Sequence, residues 1–250
     1  GHGLSRMAAE ATGGVGLACW LSHRRSVRGP ISELDAYARQ VSMIEAVLFD
    51  FGGVVLTSPF DAFARYEVEA GLPPHTIRGI NATNPDTNAW ALCERREVDV
   101  EGFCLLFEAE AAELGLVLDA QRVLASLHGE LRPAMVDAVR RCSDELRTGL
   151  LTNNVTPLAD QESARPEVLS VVALFDVVVE SSLVGCRKPE PEFYELACTL
   201  LGVEPSRCVF LDDLGINLKP ARSMGMTTIK VGDPAAAIEE LEAVLGFPLG

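Results

Sequence analysis

An α/β fold, with a mainly parallel sheet covered by helices on both faces and a small α-helical cap, is predicted by three observations. Apolar runs repeatedly end on polar residues. Ala46 to Phe49 reaches Asp50, Gly149-Leu150-Leu151 runs into Thr152-Asn153-Asn154, Phe175 to Glu180 leads through Gly185 to Lys188-Pro189, and Cys208 to Leu211 ends on Asp212-Asp213. Strands buried on both faces read as continuous apolar runs, and ligands of open α/β sheets gather beyond the carboxyl ends of the strands. Helical patterns separate the later runs, the alternation that builds parallel βαβ units. Finally, roughly a hundred residues of helical patterning lie between the first run and the second, far more than a connection needs.

Taken in order, residues 1–42 differ from the rest, being Gly-rich at the start and carrying five Arg against three acids. They read as an N-terminal extension or a tag-derived segment, with Met43 as a natural start; the alternative is a native helix over Ser32 to Val41. Residues 43–59 and 129–250 are assigned to the α/β core and residues 60–128 to the cap. In the cap, Phe60, Phe63, Ala64 and Val68 recur at helical spacing, Gly71-Leu72-Pro73-Pro74 breaks the run, and Asn84 to Thr87 is turn chemistry. Trp90 to Arg96 and Val100 to Leu114 complete the bundle, with Trp90 and Phe103 as its core. Pro133 to Leu146 is an amphipathic helix returning to the sheet. Helices follow at Glu190 to Leu201, Leu218 to Met224 and Pro234 to Leu245, with a strand at Thr227 to Val231.

With 250 residues, 48% of them hydrophobic, the chain can bury a sizeable core as one large domain with an insertion. The formal charge of −15 disfavours a nucleic-acid partner, which selects clustered Lys and Arg. Val15 to Leu21 is far short of the ~20 apolar residues of a membrane helix, so no membrane partner is expected. Seven cysteines without a CxxC pair argue against a disulfide framework and a zinc site, and point to a reducing cytoplasm.

The chemistry lies at the strand ends. Two adjacent carboxylates, Asp212 and Asp213, repel strongly unless a cation neutralises them. Asp50 ends a buried strand at the edge where ligands bind, and Lys188, fixed by Pro189, offers a point charge for an anion. In the cap, Trp90, Glu94, Arg95, Arg96 and the acidic helix after Gly102 are candidates for specificity. His75 and His128 read as surface residues.

With Asp50-Phe51-Gly52-Gly53-Val54, Gly185-Cys186-Arg187-Lys188-Pro189-Glu190-Pro191 and Phe210-Leu211-Asp212-Asp213-Leu214-Gly215-Ile216-Asn217 in this order, the chain resembles the haloacid dehalogenase (HAD) superfamily from about Ile44 onward. It is similar to the phosphatase-like branch with a helical cap between motifs one and two, including epoxide-hydrolase N-terminal and sugar-phosphatase-like members. The resemblance implies a Rossmann-like core and a Mg²⁺-dependent phosphatase of a small phosphorylated metabolite. Asp50 would be the nucleophile that forms an aspartyl-phosphate, with Thr152 and Lys188 completing the catalytic set. Thr152, Asn153, Lys188 and Gly53 would bind substrate. The metal ligands would be Asp50, the Gly52 carbonyl, Asp212 and Asp213, with Asp213 favoured as the direct one. Asn217 would either orient the metal-bound acid or cap a helix.

One position departs from the pattern. The family's metal-dependent phosphatases place a second Asp where this chain has Gly52, to protonate the leaving oxygen, a service typically worth ~10²–10⁴ in rate. An acyl, anomeric sugar or aryl phosphate would need it less, and Thr57, Ser58, Asp61 or a cap residue could replace it. The alternatives are a low-activity or non-catalytic protein of this fold with a binding or regulatory role, and a metal-free 2-haloacid dehalogenase, which the acidic pair disfavours. Homodimerisation is left open by the sequence.

Overall fold

The computed structural model describes residues 20–21, 44–158 and 165–250. Most of the extension expected over residues 1–42, including its helix at 32–41, lies outside the described residues. The strands are β1 (Trp20–Leu21), β2 (Ala46–Phe49), β3 (Arg147–Thr152), β4 (Val177–Glu180), β5 (Cys208–Asp212) and β6 (Thr227–Lys230), in sheet order β1-β4-β3-β2-β5-β6. From β4 to β6 all neighbours are parallel, while β1 adds an antiparallel edge through Trp20↔Val178 and Leu21↔Val177. The sequence reading did not find this two-residue strand, which is too short to carry a pattern.

Every residue of β2 is buried, and strand geometry sends alternate side chains to opposite faces. Val47 and Phe49 pack on one side with Met135, Val139 and Leu241, whereas Ala46 and Leu48 pack on the other with Phe193, Tyr194 and Leu218. The first layer is supplied by α6 (Pro133–Glu145), α7 (Pro166–Val172) and α11 (Pro234–Leu245), the second by α9 (Pro191–Leu201) and α10 (Gly215–Ser223). The short α8 (Ser181–Val184) follows β4 directly. Proline opens α6, α7, α9 and α11, where its missing N–H costs nothing.

Between β2 and α6 lie α1 (Pro59–Glu69), α2 (Thr76–Ala82), α3 (Ala89–Glu94), α4 (Val100–Glu113) and α5 (Ala120–Ala125). They form the cap around a separate apolar cluster in which Trp90 meets Phe63, Phe103 and Phe107 edge-on or tilted. The inner face of α1 is not the expected set. Phe63 is buried, but Ala64 and Val68 face solvent and Ala62, Tyr66 and Glu67 turn inward. Glu67 can be buried because its two oxygens accept from the His75 and Ile77 N–H groups, both at 2.8 Å. Among the described residues, no helix is long and apolar enough to cross a membrane.

Candidate active site

The chain runs from β2 to β3 and β4 on one side, then crosses to β5 on the other side of β2, so the strand order reverses beside β2. Ligand crevices of open α/β sheets form at such a reversal, beyond the carboxyl ends of the strands. Asp50 follows β2, and Asp212 and Asp213 stand at the end of β5. Their carboxylates lie within 4.8 Å of one another.

Lys188, in the loop after α8, joins them. Its Nζ lies 2.6 Å from Asp50 Oδ1 and donates to Asp212 Oδ2 at 2.8 Å, with the side chain 1% exposed. The Lys188–Pro189 peptide bond is cis. Phe51 N–H also donates to Asp50 Oδ1, at 2.6 Å, which fixes the plane of that carboxylate. Asp212 is held further by Leu214 N–H at 2.8 Å and by the Asn217 amide at 3.1 Å to each oxygen. Asn217 is in turn pinned by Tyr194, whose hydroxyl donates to its carbonyl at 2.7 Å.

The charges do not balance: three carboxylates face one buried ammonium. Burial drives Asp50 well above the usual carboxylate range, opposed by Lys188 and reinforced by Asp212. Burial and then the neighbouring Asp212 push Asp213 up to about 6. Burial alone would lower the Lys188 ammonium, but Asp212 and Asp50 outweigh it and hold it above its ordinary value. A hard divalent cation fits this all-oxygen donor set, because it would offset the two uncompensated negative charges. Gly53, at φ 84°, lets the Asp213 carboxylate come close, since a Cβ there would collide with Asp213 Oδ2.

The pattern of the haloacid dehalogenase-like hydrolases matches residues 44–225. The chain belongs to this family. Among curated relatives, it is 38% identical over 210 residues to acyl-CoA dehydrogenase family member 10 of Mus musculus, covering 82% of this chain and 19% of that protein. It is 41% identical over 120 residues to bifunctional epoxide hydrolase 2 of Rattus norvegicus, covering 47% and 22%. The chain thus spans about a fifth of these two relatives' lengths. To the sesquiterpene phosphatase of Aspergillus oryzae it is 34% identical over 207 residues, covering 81% of this chain and 97% of that one. A solved HAD-like hydrolase from Porphyromonas gingivalis superposes with TM-score 0.61 at 22% identity, over 80% of this chain and 98% of that one. A HAD enzyme from Bacteroides thetaiotaomicron, solved with magnesium and inorganic phosphate, gives TM-score 0.54 at 20% identity over 76% and 96%. At these identities the two structures speak for the fold.

The remaining candidates of this HAD chain surround the carboxylates. Thr152 is buried at the end of β3, its hydroxyl 3.5 Å from the Asn153 carbonyl. Asn153 clasps the backbone of Lys188, accepting from its N–H at 2.9 Å and donating to its carbonyl at 2.9 Å. Gly52 lies in the turn that bridges to Leu56 and leads into α1. A Cβ there would touch only Pro59, at 3.6 Å, so the position has room for a side chain. Thr57 and Ser58 are already engaged, Thr57 accepting from Glu130 N–H and Ser58 capping α1.

Two contributors, Arg132 and Arg187, were not identified from sequence. Arg132 donates to the Gly53 carbonyl at 2.8 Å and lends positive charge toward Asp213. Arg187, next to Lys188, pairs with Glu94 of α3 at 2.6 Å. Arg95 pairs with Glu190 at 3.1 Å, so neighbouring cap residues hold the loop that carries Lys188. The Arg187-Lys188-Pro189-Glu190 run places charges of both signs together, but only the folded cap supplies the partners.

Proposed function

We propose that this HAD hydrolase is a Mg²⁺-dependent phosphomonoesterase that acts on a small phosphorylated metabolite through an aspartyl-phosphate on Asp50. The carrying observation is the cluster of Asp50, Asp212, Asp213 and Lys188 at the sheet's reversal point, with two negative charges left for a cation to offset. The phosphatase names among relatives, one of them matched over 97% of its length, support the reaction class.

Bound by Asp50, Asp212, Asp213 and the Gly52 carbonyl, Mg²⁺ would draw charge from the phosphoryl oxygens and let the anionic substrate approach an acidic site. Asp213 suits the direct contact, because Asp212 is already engaged by Lys188, Leu214 and Asn217. Lys188 and Phe51 N–H hold Asp50 so that one carboxylate oxygen attacks phosphorus in line with the leaving oxygen. Lys188 also balances the phosphoryl charge as the P–O bond to the leaving group breaks. Thr152 supplies a hydroxyl donor to the phosphoryl oxygens, and Asn153 keeps Lys188 in register; the Gly53 N–H, which donates to the Thr57 carbonyl at 3.3 Å, would have to leave that bond to join them. Water then attacks phosphorus, releasing inorganic phosphate and regenerating Asp50. Gly52 offers no proton to the leaving group, which favours substrates whose leaving oxygen needs little protonation.

The same glycine sustains a second reading, a HAD-fold binding or regulatory protein with little turnover. Phosphate release from aryl, acyl and sugar phosphates, with Mg²⁺ and with a chelator, separates them. Turnover that needs both metal and Asp50, and disappears in Asp50→Asn, is expected. Turnover that persists in Asp50→Asn refutes the covalent mechanism, and none anywhere refutes the phosphatase reading.

A further inference from the structure

Four cap residues, Trp90, Glu94, Arg95 and Arg96, stood as candidates for reading the substrate, and the structure separates them. Trp90 is enclosed by Phe63, Phe103 and Phe107 in the cap's own core. Arg95 is tied down by Glu97 at 2.5 Å, Glu190 at 3.1 Å and the Asp86 carbonyl at 2.8 Å. Arg96 faces solvent in the turn after α3. Glu94 alone of the four touches the residue that positions Lys188, Asn153, whose amide donates to its Oε2 at 3.1 Å.

The same Oε2 lies 2.6 Å from Arg187 Nε, off the line of the N–H bond, so this contact is an ion pair rather than a directed hydrogen bond. Arg187 is itself fixed through its donation to the Pro85 carbonyl at 3.0 Å and through its backbone N–H to Glu190 at 3.1 Å. Both partners therefore hold one oxygen of Glu94. Its other oxygen, Oε1, accepts no hydrogen bond among the described residues, although the side chain is only 13% exposed. Oε1 is thus fixed in place beside Asn153 and open to solvent, where a ligand group can donate to it.

We propose that Glu94 is the specificity-determining residue of the cap, accepting through Oε1 a hydrogen bond from a hydroxyl on the leaving group of the phosphate ester. The inference rests on the phosphatase reading and narrows its substrate class to polyhydroxylated esters with a good leaving oxygen, such as anomeric sugar phosphates. Phosphate itself is held from the core side, by Lys188 and Thr152, so Glu94 reads only the organic part of the substrate.

The test compares wild type, Glu94→Ala and Glu94→Gln on hexose phosphates and on phenyl phosphate, with inhibition by inorganic phosphate as a second readout. Losing a charge-assisted hydrogen bond predicts a drop in kcat/KM on the order of 10- to 100-fold for hexose phosphates in Glu94→Ala. Glu94→Gln leaves its one oxygen to the Asn153 and Arg187 donors and puts an NH2 in the place of Oε1, so it should lose on hexose phosphates as well, with the tether intact. In Glu94→Gln, which keeps the ties to Arg187 and Asn153, hydrolysis of phenyl phosphate and inhibition by inorganic phosphate should stay within about twofold of wild type, because neither probe carries a hydroxyl to read. Equal losses on both ester classes would make Glu94 a structural residue and overturn the assignment, as would no loss on either. If wild type hydrolyses neither ester, the phosphatase reading falls by itself. The affinity of Mg²⁺-loaded protein for glucose 1-phosphate, measured by calorimetry, then decides Glu94: weaker binding by Glu94→Gln supports it, and unchanged binding overturns it.

Discussion

At the scale of single residues, Gly52 and Asp213 carry the sharpest expectations. Gly52 has ordinary backbone angles and space beyond its Cα, so Gly52→Asp should fold and place a carboxyl one turn from Asp50. A gain in kcat on the order of 10²-fold on alkyl phosphates is expected, with little change on aryl phosphates, whose leaving groups need no proton. Unchanged alkyl rates in a folded Gly52→Asp protein would show that acid catalysis is not what limits turnover. Asp213, raised to about 6 in the metal-free protein, gives a pH dependence of defined sign. Its folded value lies above the ordinary 3.8, so its contribution to stability is present below pH 3.8 and is lost as pH rises toward about 6. A cation binds the ionised form, so Mg²⁺ affinity should fall as pH drops through about 6, with proton release on binding. Calorimetry in two buffers of different ionisation heat measures both, and an affinity that is flat between about pH 5 and pH 7 would contradict the metal assignment. Asp50, Lys188, Asp212 and Asp213 were legible in the sequence because each closes an apolar run or stands in a fixed motif. Glu94, Arg132 and Arg187 were not legible as a set, since their partners lie 93, 79 and 93 positions away or are backbone atoms.

At the scale of elements, boundaries were readable wherever a residue forces them. Pro234 and Gly246 bracket α11, and the expected Pro234 to Leu245 is the observed helix. Asp99 caps α4 through Gly102 N–H at 2.8 Å, which sets a start that apolar spacing alone leaves loose. The inner face of α1 was misread because apolar identity suggested Val68, whereas geometry turns Glu67 inward. That inward carboxylate replaces what would otherwise be two unsatisfied backbone donors, those of His75 and Ile77. Glu67→Ala should therefore destabilise the cap by about 2–4 kcal/mol, more than an ordinary substitution, since it strips both donors at once. Glu67→Gln, which keeps one acceptor oxygen, should cost roughly half as much. Chemical denaturation measures the difference, and a loss below about 0.5 kcal/mol in Glu67→Ala would mean that water satisfies these donors instead.

At the scale of the whole molecule, the sheet and its two helical layers were legible from the order of apolar runs, whereas the antiparallel β1 depended on pairing at long range. The layout also determines what a cation stabilises. Asp50, Asp212 and Asp213 all issue from β2 and β5, so binding ties together the centre of the core sheet and leaves the cap's separate apolar cluster untouched. At a hundredfold excess over Kd, linkage contributes about 2.7 kcal/mol, which for a chain of this size corresponds to a rise in Tm of roughly 5–11 °C. With a formal charge of −15, any salt also relieves self-repulsion, so NaCl at matched ionic strength is the necessary control. Calorimetry should show a saturable rise with Mg²⁺ that exceeds the NaCl effect and vanishes in Asp213→Asn. If cap and core unfold together, one transition moves. If the cap, joined to the core by the Glu94–Arg187 and Arg95–Glu190 pairs, unfolds by itself, only the core transition moves. A Mg²⁺ response no larger than that to NaCl would remove the cation from the centre and with it the charge balance on which the phosphatase mechanism depends.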